Sequence, residues 1–570
     1  MSKEMNFRIG PTLTEPIAGI IAVEPTLLSD CAKCEGNINL GIFFDGTNNN
    51  MDADSKKLGD SNIVRLFNAY LAKREDGYYS RYIPGVGTRF SEIREDGASS
   101  LGTGFAIGCE ERVLFGLLWV INAIHRSAFN EQLFFNNAQV TALCCGQSMN
   151  SSIMLTEDCA ALLDLGLETG LRIPDMVGDG MRKSILKDQI GKLEKKLAKS
   201  RPVIKECFID IFGFSRGAAE ARVFCHWLDD LLVDGKLAGI IVHFRFLGLI
   251  DTVASAGFWS SIVAGVTGVD GGHCGWADSK FLRIPASVKN CVHMVAMHEL
   301  RKNFPLDTIT VDGGLPPHCQ EFAYPGAHSD VGGGYRPGEL GISVGKDAYE
   351  GDALKLSQIP LNHMLGCAVA AGAPMDKKRA VRDYNPKPFA IDPRVQKAYD
   401  DFLKKSTLAP RAVHEWLQPY LNWRWEVHTR YASLDHVRNA NKTDAALLIE
   451  YNGYLMDDAQ LLNAPVERSL LGLFLPPVQD AMIIKRAVSL AKLDSEAPAV
   501  LARAKAAAPT SMEAHVLFDH FVHDSLAGFD HHALELTGYW RYRKGFLGSP
   551  KRLIAENDSV PDTDQISATG

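Results

Sequence analysis

The sequence predicts an α/β protein, a mostly parallel sheet with helices on both faces, followed by a largely helical C-terminal region. Three observations predict it. Short apolar runs rich in β-branched and aromatic residues recur at 38–44, 203–212, 239–250, 288–297 and 320–324. Between them lie segments with apolar residues at helical spacing, the long crossovers that parallel strands need. Beyond Tyr335 the strand signal fades, and 397–547 carries helical patterns with little alternation.

Taken in order, 1–37 reads as a polar, Pro-punctuated leader. Residues 38–44 then form a buried strand that empties into Asp45-Gly46-Thr47-Asn48-Asn49-Asn50, a run of turn formers. Val113, Leu114, Leu117, Leu118, Ile121 and Ile124 place a helix over 107–126, and Val140 to Cys145 reads as a further buried strand. Segment 181–205 holds nine Lys or Arg against Asp188 and Glu194 and repeats Leu186, Ile190, Leu193 and Leu197, so it reads as a basic amphipathic helix. A solvated face over a packed Leu/Ile stripe is the simpler explanation of its charge; contact with anionic headgroups is the alternative. The strand 203–212 stops at Gly213, and a helix resumes over 218–232. Helix 355–373 closes a catalytic domain at 38–375, a mainly helical accessory region follows at 376–547, and a polar tail expected to be disordered ends the chain at 548–570.

The 570 residues are 46% hydrophobic and 22% charged, enough for a sizeable core, and the net charge of -8 gives no general attraction to nucleic acid. Twelve scattered cysteines form no disulfide framework. Cys31 and Cys34 have the spacing of half a zinc knuckle without a second pair, so no metal is expected, and no cofactor motif is present. The spacing around Gly102-Thr103-Gly104 fails the dinucleotide pattern. No apolar run reaches the length of a spanning helix and no cleavable signal is evident.

The chemistry centres on Gly213-Phe214-Ser215-Arg216-Gly217, set between a strand and a helix. A second GxSxG, Gly341-Ile342-Ser343-Val344-Gly345, has no strand before it. Only the first has the flanks of a nucleophile elbow, where a sharp turn lifts the serine hydroxyl above the sheet and Gly213 and Gly217 keep strand and helix apart. A serine needs a base, and the base an acid that orients it. Asp251 ends the strand 239–250, at the carboxyl edge where open α/β sheets bind ligands. His328 lies in Ala327-His328-Ser329-Asp330-Val331-Gly332-Gly333-Gly334-Tyr335, a glycine-rich loop after a strand. His523, followed by Asp524, ranks second as base; Asp270 and Asp278 are alternative acids, and His243, His293 and His298 sit near strands.

The blocks Gly41-Ile42-Phe43-Phe44-Asp45-Gly46-Thr47, Gly213 to Ala218, Gly248-Leu249-Ile250-Asp251-Thr252-Val253 and Ala327 to Tyr335 together resemble a bacterial α/β-hydrolase family that includes the type VI secretion lipase effectors of the Tle1 class. His523-Asp524-Ser525-Leu526-Ala527 and Gly538-Tyr539-Trp540-Arg541-Tyr542-Arg543 resemble a C-terminal block of the same effectors. The resemblance implies an antibacterial phospholipase of A1 or A2 type, with Ser215 as nucleophile, His328 as base and Asp251 as acid. It also implies membrane phospholipids as substrate, a spike-type carrier, a cognate immunity protein, and synthesis in one cytoplasm followed by signal-less delivery to a target cell. A soluble carboxylesterase or acyltransferase, or a non-catalytic binding protein on the same fold, are the alternatives. The oxyanion is expected to meet the N–H of Arg216 and a second donor from Asp45-Gly46-Thr47. The apolar run 257–266 reads equally as a lid or as a core helix.

Overall fold

The computed structural model describes residues 6–11, 18–25, 35–95, 108–145, 156–167, 179–200, 203–254, 280–301, 304–311, 313–405, 411–463, 496–528 and 538–546. The run 257–266, Asp270, Asp278, Cys31 with Cys34, and Gly102 to Gly104 lie outside them. The strands are β1 (Asn6–Ile9), β2 (Glu35–Phe44), β3 (Tyr78–Ile83), β4 (Val203–Phe214), β5 (Lys236–Leu237), β6 (Ile240–Ile250), β7 (Cys291–Ala296), β8 (Leu306–Asp307), β9 (Cys319–Tyr324), β10 (Arg411–Ala412) and β11 (Gly545–Phe546). Nine of them make one sheet in the order β10-β1-β9-β7-β6-β4-β2-β3, with β5 beside β6, and β8 pairs β11 separately. From β1 to β3 every neighbour is parallel; the antiparallel additions are β10 on β1 and β5 on β6.

Alternation along the central strands sorts side chains to two cores. Phe43, Phe212, Phe246, Val292 and Met294 face one layer, and Ile42, Phe44, Ile209, Ile211, Leu247 and Leu249 face the other. The second face is covered by helices Cys109–Ala128, Asn137–Cys145, Asp179–Leu197 and Arg216–Asp229. The first is covered by Asn62–Ala69 and Gln358–Ala370 and, continuously with them, by C-terminal helices that contribute Tyr399, Trp416, Leu448 and Phe518. The sheet is therefore helix-covered on both faces, and the helical region shares a core with it rather than building its own.

Three elements differ from the sequence reading. Val140 to Cys145 lies in helix Asn137–Cys145, not in a strand. That helix is buried along most of its length, so its apolar residues lack the periodicity that would mark it. Residues 6–9, read as leader, form β1 inside the sheet, and β2 begins at Glu35 instead of residue 38. The basic segment is a helix over Asp179–Leu197 whose Leu186, Ile190 and Leu193 are buried, the packed-stripe reading.

Candidate active site

β4 runs to Phe214 and the next helix begins at Arg216, so the whole strand-to-helix turn falls on Ser215, at φ 57° and ψ -124°. That backbone is strained for a side-chain-bearing residue, and neighbours hold it. Ser215 N–H donates to Ile250 O at 2.9 Å, and Val253 N–H donates to Ser215 O at 3.2 Å, which lashes the turn to the end of β6. The two glycines are needed for close approach: a Cβ on Gly213 would stand 2.4 Å from Gly217 O, and one on Gly217 2.3 Å from Asp45 O.

β6 delivers Asp251, also left-handed at φ 43° and wholly buried. His328 Nδ1 lies 2.5 Å from Asp251 Oδ2, so Nδ1–H donates to the carboxylate. Ala296 N–H donates to Oδ1 at 2.8 Å, and Arg543 donates to both oxygens, Nη1 to Oδ1 at 2.7 Å and Nη2 to Oδ2 at 2.8 Å. Burial alone would raise this carboxyl; the Arg543 guanidinium and the His328 bond outweigh it and hold it well below the usual carboxylate range.

His328 opens a short helix, His328–Gly332, and its own N–H donates to Glu299 Oε2 at 3.1 Å. The imidazole is stacked on Phe214 at 4.6 Å between ring centres and edge-on to Phe304 at 4.9 Å. Burial between these rings pushes its pKa below the ordinary histidine value, against the pull of Asp251. Glu299 is itself fixed by Arg301, whose Nε and Nη2 each donate at 2.9 Å, and by Ser525 Oγ at 3.0 Å. Burial would raise Glu299, but Arg301 brings it down to about 2.

Ser215, Asp251 and His328 thus meet at the carboxyl edge of the sheet. Among the described residues no hydrogen bond joins Ser215 Oγ to His328, a contact that often tightens only when substrate binds. Arg216 is the first residue of its helix, which puts its N–H beside the serine. Asp45 and Gly46 pack on the elbow, where a Cβ on Gly46 would meet the Phe214 ring at 2.6 Å. Gly46 N–H, expected as an oxyanion donor, instead donates to Asp45 Oδ1 at 2.8 Å, while Tyr82 OH donates to Asp45 Oδ2 at 2.7 Å. Burial raises Asp45 to about 7. Thr47, which follows Gly46, has its Oγ1 buried with no hydrogen-bond partner among the described residues.

His523 is held elsewhere. Its Nδ1 pairs with Asp330 Oδ1 at 2.5 Å and its ring stacks on Tyr335 at 3.7 Å, so it buttresses the His328 loop and does not contact Asp251. His293 bonds Glu321 at 2.7 Å, His298 accepts Gly326 N–H at 2.9 Å, and His243 bonds Glu206 at 3.0 Å. Nothing in the sequence marks Arg543 or Glu299 as a member of the site. Arg543 stands 292 residues from Asp251, a distance that no local pattern bridges.

The chain matches the family model "T6SS, Phospholipase effector Tle1-like, catalytic domain" over residues 39–237 and 234–366. Among solved structures, an uncharacterised protein from Pseudomonas aeruginosa is similar at TM-score 0.66 and 26% identity, over 96% of this chain and 86% of that one. The Tle1 effector bound to the VgrG spike of the type VI secretion system aligns at TM-score 0.34 and 18% identity, over 65% of this chain and 79% of that one. No curated protein matches. The family match spans all of the site's sheet residues, and the chain belongs to the Tle1-like phospholipase effectors of the type VI secretion system.

Proposed function

We propose that the chain hydrolyses acyl esters of membrane phospholipids through Ser215, His328 and Asp251, by way of an acyl-enzyme. The observation that supports this most is the buried His328–Asp251 pair beside a serine held at positive φ where a central strand turns into a helix. With Nδ1–H committed to Asp251, the free nitrogen of His328 is Nε2, which takes the Ser215 proton as Oγ attacks the ester carbonyl. The same proton passes to the departing lysophospholipid oxygen, and water, activated by His328, then releases the fatty acid. The oxyanion would be held by Arg216 N–H and by a donor from Gly46-Thr47; since Gly46 N–H is engaged with Asp45, Thr47 is the better candidate. Whether cleavage is of A1 or A2 type depends on how the two acyl chains sit.

Delivery through a secretion spike into a target cell, where membrane phospholipid is met, is the remainder of the proposal, with a cognate immunity protein protecting the producer. Within the chain, 38–375 supplies the reacting groups and 376–547 braces them. The test is fatty-acid release from phospholipid vesicles by the wild type and by S215A. Release by the wild type that S215A abolishes is expected; equal rates would overturn the serine mechanism, and turnover of short soluble esters with no gain on vesicles would point to a carboxylesterase.

A further inference from the structure

The carboxylate that orients His328 has two side-chain partners, and the second comes from the far end of the chain. Arg543 is about as buried as Asp251, 1% against 0% side-chain exposure, and spans both carboxylate oxygens in parallel. Its backbone is fixed as firmly. Leu306 N–H donates to Lys544 O at 2.9 Å, and β11 continues that contact by pairing with β8. Arg543 Nε donates to Phe304 O at 2.7 Å, and Phe304 is one of the two rings that enclose the imidazole.

Two more side chains of the C-terminal region act on the same loop. His523 binds Asp330, whose Oδ2 also accepts Ala327 N–H at 2.9 Å, and Ser525 binds Glu299, whose Oε2 accepts His328 N–H. Each carboxylate that steers His328 or the residue before it is therefore held from behind by the C-terminal region.

We infer that Arg543 is a positioning residue of the reaction: the C-terminal segment straps over Asp251 and fixes its carboxylate plane, so that Oδ2 faces His328 Nδ1. This rests on the triad reading proposed above. The charges facing the imidazole balance in pairs. Asp251 is matched by Arg543 and Glu299 by Arg301, while Asp330 is hydrogen-bonded by His523 behind the loop. With Arg543 present, the buried Asp251 anion is compensated without a proton on His328, and the imidazole stays neutral and able to accept the Ser215 proton. Without Arg543 the cheapest way to neutralise Asp251 is an imidazolium, which cannot act as a base.

The test compares full-length wild type, R543K, R543Q and S215A in two measurements: the His328 imidazole pKa by NMR of histidine-labelled protein, with H328Q supplying the assignment, and kcat for fatty-acid release across pH. In R543Q the imidazole pKa should rise by about one unit, the scale of losing one nearby charge. Its kcat should fall at least tenfold, and the acid limb of the rate profile should move to higher pH with it. R543K keeps the charge and loses the fork, so its imidazole pKa should stay near wild type while kcat falls severalfold with KM little changed. An R543Q imidazole pKa equal to wild type overturns the inference, and so does an R543K kcat equal to wild type, which remains decisive if R543Q does not fold. S215A answers a separate question: activity surviving there defeats the serine mechanism and leaves the imidazole measurement standing on its own.

Discussion

Two loops of this molecule carry the same pentapeptide pattern and much the same local geometry. Ser215 and Ser343 are each 3% exposed, and their φ angles are 57° and 56°. The glycines are constrained at both: a Cβ on Gly341 would stand 1.8 Å from His436 O and one on Gly345 2.4 Å from Gly351 N, against 2.4 and 2.3 Å to backbone at Gly213 and Gly217. What differs is the setting. Ser215 follows a twelve-residue central strand and precedes a fourteen-residue helix, with His328 and Asp251 delivered by neighbouring loops of the same sheet edge. Ser343 follows a short 3-10 turn, Glu339–Gly341, its Oγ is buried without a partner, and it lines an open cavity of about 660 Å³ beside His520 and Phe521. A strained, glycine-flanked serine is thus no signature by itself; the strand before it and the acid-held imidazole beside it are what distinguish the two.

The sharpest way to break this comparison is to remove each hydroxyl. S215A should lower fatty-acid release by about 10⁴-fold or more, the usual scale for losing a nucleophile that acts together with its base. S343A should leave the rate within about twofold, because its buried hydroxyl makes no hydrogen bond among the described residues and so leaves no partner stranded. Vesicle assays on both variants decide it, and a large loss in S343A with an active S215A would exchange the two loops' roles.

A smaller effect separates the two within the oxyanion question. T47V removes a hydroxyl that is buried with no partner among the described residues, next to the Gly46 that packs on Phe214 of the elbow, and keeps the side chain's shape. The expected loss is about 10²-fold in kcat, typical of one oxyanion donor, with KM nearly unchanged. An unchanged kcat would return the role to backbone N–H groups alone.

How much of this was legible beforehand follows from the range of each interaction. The elbow, Asp251 and His328 each announce themselves within a few residues, as a strand end followed by glycines or by an acid, and the structure brings all three together. β1 is not legible in the sequence because Asn6-Phe7-Arg8-Ile9 offers only four residues of alternation, and its strand character comes from pairing with β9 more than 300 residues later. Val140 to Cys145 misled because a helix buried on most sides carries no period to read. Gly46 reads from the sequence as a donor for its flexibility, yet its N–H is taken by the side chain of the residue before it, whose other oxygen is held by Tyr82 from β3. Arg543 and Glu299 matter through tertiary ion pairs, which spacing does not encode.

The helices that follow the two serines give the mildest and most specific contrast. Glu350, after Ser343, is half-buried, with 23% side-chain exposure, and the Lys346 N–H with Arg394 lowers its pKa. Glu220, after Ser215, is wholly buried, and burial raises it to about 8, Arg112 and the Cys109 thiol offsetting only part. Its folded value lies above the ordinary 4.5, so the folded state binds this proton more tightly than the unfolded one. The associated stability is fully present below about pH 4.5 and is lost as pH rises through about 8. E220Q keeps the shape and cannot ionise. At pH 5 it should melt close to wild type, and at pH 9 it should melt several degrees higher, because wild type alone loses the stability tied to the buried proton. Melting curves that stay parallel from pH 5 to 9 would mean that Glu220 is neutral throughout or compensated, and that the helix under the nucleophile tolerates its buried acid no differently from the half-buried, ion-paired one after Ser343.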